Sequence, residues 1–142
     1  MYIGPTYASA GQRAADIELG ASYPRQRLID DLRRSADNLA VGLAALDEQA
    51  WSREVVTAQG RTIDATEIPW LRAREVCVHA VDLGLGATFS DLPPSFVDAL
   101  VVEIQGKRGL ESLPDAPLAA VAAYLAGRPH SLVGVPELGP WL

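Results

Sequence analysis

IPWLRAREVCVHAVDLG, residues 68–84, decides how this chain is read. Pro69 opens the stretch and Gly84 closes it, the two residue types that start and stop helices. Leu71, Ala73, Val76, Cys77, Val78, Ala80, Val81 and Leu83 make most of it apolar, which predicts a helix buried on most sides. Arg72, Glu75, His79 and Asp82 interrupt that surface, and at about 100° per residue they fall within one quadrant, with Arg74 elsewhere. Glu75 and His79 are four residues apart, so their side chains lie one turn from each other. A carboxylate and an imidazole at that spacing can share one divalent metal, and zinc suits both donor types. Asp82 is then placed to orient His79 from outside the ligand set. The same four residues also describe a solvated helix face, with Arg72 and Glu75 as a surface ion pair of little energetic weight. If the helix is central, polar groups on it face the bundle interior and need a reason to be there.

Outward from this stretch the periodicity is helical. Residues 8–20 predict a short helix stopped at Gly20. Pro24 opens a long one to about Leu46, in which Leu28, Leu32, Leu39, Leu43 and Leu46 form an apolar stripe. Val55, Val56 and Thr57 before Gly60 predict a β-hairpin or extended loop over 52–68. A loop follows over 85–93. Pro94 begins another helix with Val97, Leu100, Val101 and Ile104 on one face, closed by Gly106-Lys107-Arg108, whose cations suit the helix dipole. After a linker, residues 117–126 form a short Ala-rich helix. The Pro-rich tail is extended and docks Trp141 and Leu142. The class is mainly α, an antiparallel helical bundle.

The chain has 142 residues, one domain's worth, with 49% hydrophobic and 21% charged residues. Twelve basic residues against eighteen acidic ones give a net charge of −6, and no basic stripe is present, which argues against nucleic acid as a partner. One cysteine, Cys77, excludes an internal disulfide and a Cys-rich zinc module, and its place between Glu75 and His79 turns it away from both. No apolar run reaches the roughly 20 residues of a membrane span, and the N-terminus carries no signal-peptide pattern. The default is a cytoplasmic protein with no membrane partner. His130, the second histidine, sits in a Pro-flanked loop. Arg13 reads equally as a surface charge or a substrate-facing cation.

The block 68–84 with FSDLPPSFVDAL (89–100) resembles the mycothiol-dependent maleylpyruvate isomerase family of actinobacteria. So do MYIGPTYASAGQRAADIELGAS (1–22), with Arg13 and Asp16-Ile17-Glu18, and the tail LAGRPHSLVGVPELGPWL (125–142). The resemblance implies a DinB-like antiparallel helical bundle holding one divalent metal, most often zinc. Its ligands are a His on the first helix and the Glu and His of an E-x-x-x-H helix, which Glu75 and His79 match. It implies mycothiol as cofactor, with Arg13 as the residue that faces it. It also implies maleylpyruvate or a related small molecule as substrate: the thiolate adds to the cis double bond, the adduct rotates, and elimination leaves fumarylpyruvate. Metal coordination deprotonates a thiol, which gives that chemistry its physical basis.

Measured against the family pattern, the first helix with its His falls before Met1, and the C-terminal domain is short. The expectation is therefore an incomplete bundle over residues 1–108 and a short C-terminal remnant over 109–142 packed on it. Two readings follow. One is an isomerase-like protein with its metal at Glu75 and His79, the third ligand coming from His130, Asp82 or a second subunit. The alternative is a non-catalytic α-helical dimerisation module with a vestigial metal site, in which the stripe of the long helix pairs with a second copy as a homodimer.

Overall fold

The structure, a computed structural model, describes residues 10–57 and 60–141. The chain forms two compact units that meet between Ile68 and Pro69.

The first unit begins with α1 (Ala10–Ala21) and α2 (Arg25–Ala44). Residues 8 and 9 of the expected first helix lie outside the described residues. Gly20 does not stop this helix. The chain turns one residue later, where the backbone amides of Ser22 and Tyr23 close onto the carbonyls of Leu19 and Gly20, and the Ser22 hydroxyl donates to Leu19 O at 2.6 Å. Pro24, extended at ψ 140°, then sets α2 off in a new direction. The leucine stripe of α2 is present, yet no residue of α2 is buried, and Leu28 and Leu32 keep 44% and 61% of their surface exposed. Exposed i, i+3 and i, i+4 pairs such as Arg27–Asp31 and Arg34–Asp31 run along its polar face.

A short helix, α3 (Glu48–Trp51), follows, capped by Asp47 accepting from the Ala50 amide at 2.7 Å. The sequence reading had no helix there. The predicted hairpin forms: β1 (Glu54–Val56) pairs antiparallel with β2 (Thr62–Asp64), Val55 facing Ile63 in the register. Ile63 and Ala65 are the buried residues of this corner, and a single 3₁₀ turn over Ala65–Glu67 leads out of it.

The second unit carries the core. α4 (Ile68–Asp82), α5 (Pro94–Arg108) and α6 (Leu118–Leu125) bury Val78, Leu100, Ile104 and Leu125 completely. Each such side chain contributes about 1.5–3 kcal/mol. Inside the 85–93 loop, Phe89–Asp91 makes a 3₁₀ turn held by a capping box between Thr88 and Asp91, and it delivers Phe89 to the core. α5 does not end at Gly106. It runs on to Arg108 and is closed by Gly109, left-handed at φ 65°, while Lys107 and Arg108 occupy its last turn as expected. The tail docks as expected: Leu132, Val135, Leu138 and Trp141 pack on the core without regular structure, and Leu142 lies outside the described residues. Gly127 makes the return possible, since a Cβ there would sit 2.6 Å from the Gly139 carbonyl oxygen. Arg108 also ties the tail to the end of α6, donating to Leu125 O at 3.1 Å and to Gly139 O at 2.5 Å.

Candidate functional site

α4 is less buried than its composition predicts. Only Arg74 and Val78 are buried, and Val76 keeps 42% exposure. The polar stripe faces solvent rather than an interior: the Glu75 and His79 side chains are 50% and 51% exposed. Arg72 makes no ion pair among the described residues, so the expected surface pair with Glu75 does not form. Arg74, which periodicity set apart from the stripe, is instead the buried cation of the helix. Its Nη1 donates to Glu103 Oε1 at 2.6 Å across to α5. Trp70 Nε1 donates to the other oxygen at 2.8 Å, and Lys107 closes on the same carboxylate. Burial alone would raise the Glu103 carboxyl. The hydrogen bonds from Lys107 and Trp70 and the two cationic charges outweigh it, so the group titrates below its ordinary value.

Glu75, His79 and Asp82 come together along one edge of α4. His79 Nε2 stands 3.3 Å from Glu75 Oε2, and His79 Nδ1 stands 2.8 Å from Asp82 Oδ2. Arg128, from the turn after α6, grips Asp82 with both arms of its guanidinium: Nε donates to Oδ1 at 3.0 Å and Nη2 to Oδ2 at 2.8 Å. Hydrogen bonding from Arg128 is the largest influence on Asp82 and, with His79, brings its carboxyl down to about 2. Asp82 is thus ionised at neutral pH and can only accept. The proton on the His79 ring between them therefore sits on Nδ1, which leaves Nε2 as the atom turned to Glu75.

Two acceptor atoms at 3.3 Å are satisfied by a shared proton or a shared cation. Zinc bonds of about 2.0–2.2 Å at a tetrahedral angle put two ligand atoms about 3.4 Å apart. The separation and the donor types of Glu75 and His79 fit two corners of such a site. Among the described residues no group of three or more His, Cys, Asp or Glu is placed to hold a metal. Asp82 is committed to Arg128. His130 packs edge-on against Tyr124, ring centroids 5.2 Å apart, and its Nδ1 accepts from the Leu132 amide. Arg13 lies exposed on α1 in the first unit. Burial pushes the Cys77 thiol up, the opposite of what activates a nucleophile.

Beside Asp82 the second unit opens a cavity of about 620 Å³ lined by Thr88, Ser90, Arg128, His130 and Ser131 among others. Sequence reasoning did not find Arg128. A GRP triplet after an Ala-rich helix signals only a helix end, and its partner lies 46 residues away.

A mainly helical bundle with a two-stranded hairpin and a paired Glu and His on one helix defines a class of helical proteins built around a polar helix face. The family of the mycothiol maleylpyruvate isomerase N-terminal domain matches residues 4–84, more than half the chain. The crystal structure of a mycothiol-dependent maleylpyruvate isomerase aligns at 34% identity and TM-score 0.75, covering 95% of this chain and 69% of that one. The crystal structure of a histidine-to-alanine mutant of such an isomerase aligns with the same values. No curated protein matches the chain. The chain belongs to the mycothiol-dependent maleylpyruvate isomerase family. No described helix is long and apolar enough to cross a membrane.

Proposed function

We propose that this chain carries the metal-binding helix of a cytoplasmic, mycothiol-dependent maleylpyruvate isomerase-like protein, with Glu75 and His79 as two ligands of a divalent metal, zinc first. The observation that carries the reading is the 3.3 Å approach of Glu75 Oε2 and His79 Nε2 on one helix face, with Nδ1 occupied by Asp82. When bound, the metal would supply a Lewis acid that holds a coordinated thiol as thiolate. Glu75 and His79 contribute one oxygen and one nitrogen donor. Asp82 keeps the ring turned so that Nε2 faces Glu75. Arg13 is proposed to face the thiol cofactor. The cavity beside Asp82 is of a size that suits a small-molecule acid or part of a thiol cofactor. The reaction class is thiol addition to a cis double bond, rotation about the resulting single bond, and elimination to the trans isomer. In domain terms, residues 1–108 are proposed as belonging to the helical bundle and 109–142 to the C-terminal domain.

The test is conversion of maleylpyruvate to its trans isomer with mycothiol and zinc present, followed by absorbance. The expected result is turnover that disappears in Glu75→Gln and His79→Ala. Turnover unaffected by both changes would overturn the assignment of these ligands.

The exposed leucines of α2 favour a second reading, a helical module that self-associates. It predicts a concentration-dependent dimer by sedimentation that Leu28→Glu with Leu32→Glu abolishes, with no response to a chelator.

A further inference from the structure

Arg128 does more than hold the tail. Its Nη1 donates to Ala126 O at 2.7 Å and also to the Trp141 carbonyl, while its Nε and Nη2 take both oxygens of Asp82. The Trp141 amide in turn donates to Ala126 O at 3.1 Å. One guanidinium therefore binds the end of α6, the returning tail and the last residue of α4. Its side chain is only 11% exposed, so it is fixed on all sides. Asp82 is left a single orientation, and in that orientation Oδ2 meets His79 Nδ1 at 2.8 Å.

We propose that Arg128 and Asp82 form a positioning pair that locks His79 in the Nδ1–H tautomer, aims its Nε2 at Glu75, and makes the metal-binding strength of this face depend on the docked C-terminal tail. The metal part of this rests on the function proposed above; the tautomer part does not. A carboxylate that only accepts leaves the proton on Nδ1. Without it, a free imidazole distributes its proton over both nitrogens, and the share of the population with Nε2–H presents no lone pair to a cation at that atom. Partners of this kind on ligand histidines change metal affinity by about 10- to 100-fold when removed.

The experiment uses the full chain with ¹⁵N-labelled histidine. Long-range ¹H–¹⁵N spectra in mildly alkaline buffer, without metal, read the His79 tautomer, and calorimetry reads zinc affinity. Two variants are compared. Arg128→Gln removes the grip on Asp82. Asp82→Asn keeps every bond of Arg128 to the backbone carbonyls, so the tail stays docked, but its amide can donate to Nδ1 and favour the Nε2–H form. The expected result is an Nδ1–H ring in the unmodified chain, a shift toward Nε2–H in both variants, and zinc affinity weakened about 10- to 100-fold in both. If Arg128→Gln fails to fold, Asp82→Asn alone decides. An unchanged Nδ1–H signature with unchanged zinc affinity in Asp82→Asn would overturn the positioning pair. A chain that shows the tautomer shift but takes up no zinc would overturn the proposed function and leave the pair standing.

Discussion

Two ionic clusters sit on the same helix of the second unit, anchored at Arg74 and Asp82 about two turns apart, and they are built from similar residue types in opposite ways. At the start of α4, Glu103 meets Arg74, Trp70 and Lys107, and the pair is nearly buried, with side chains 11% and 16% exposed. Each oxygen of the carboxylate has a donor. At the end of α4, Asp82 is equally well served by Arg128, but in the neutral ring the next link sets an acceptor against an acceptor, His79 Nε2 against Glu75 Oε2, half-exposed to solvent. The first cluster is closed at its carboxylate and its work is structural, with Arg74 Nε left as the one buried nitrogen of the cluster without a partner among the described residues. The second is closed on the Asp82 side and open on the Glu75 side, which is the arrangement of a group held ready for something else. Donors on both oxygens of the carboxylate mark the first, and a carboxylate oxygen set against an imidazole nitrogen marks the second, where charge and spacing do not separate them.

The comparison breaks most visibly at the closed cluster. Glu103→Ala leaves the Arg74 guanidinium and the Trp70 N–H without their acceptor, and should cost about 3 kcal/mol, the low end for a broken buried pair because both side chains keep some exposure. Urea denaturation measures it, and zinc binding of the folded variant should not change. Gly127→Ala comes next. Its φ of 65° and the 2.6 Å approach of Gly139 O both oppose a methyl group, and a loss of about 1–3 kcal/mol is expected from strain and overpacking. Because this substitution pushes against the returning tail, it should also weaken zinc binding, which Glu103→Ala does not.

Acid supplies a third contrast. Glu103 and Asp82 both have depressed folded values, so each contributes stability that is present above its unfolded value and is lost as pH falls through the folded one. For Asp82 that window runs from about 3.8 down to about 2. Stability should therefore fall on acidification below about 4.5, the ordinary value for Glu103, and Glu103→Gln should flatten the upper part of the decline. Thermal melts across that range read the effect. The smallest change in stability belongs to the open side. His79→Ala, at a half-exposed residue, should stay within about 0.5 kcal/mol of the parent while abolishing zinc binding.

The helices of the second unit were legible because their apolar positions repeat at helical spacing and prolines mark their starts. The Val55–Thr57 run gave the hairpin for a similar reason. Helix ends were less legible. Gly20 and Gly106 both looked like stops and both lie inside helices, since glycine ends a helix only where the backbone turns left-handed, as at Gly109. α3 was missed because one turn carries no period, only the Asp47 cap. The Glu75–His79 pair was visible because both residues share one helix. Arg74–Glu103 and Arg128–Asp82 were not, because pairing across 29 and 46 residues is decided by packing that no local pattern records. The exposure of the polar stripe stayed open between a solvated face and an interior one for the same reason: an apolar composition says a helix has much to bury, not which residues its neighbours cover.

The central claim is that Glu75 and His79 together bind a divalent cation. A calorimetric zinc titration of the full chain tests it most directly, with His79→Ala and Glu75→Gln as controls. The account predicts binding at roughly tens of micromolar or tighter, about 6 kcal/mol or more, lost in both variants. Absence of binding, or binding that both variants retain, would contradict it.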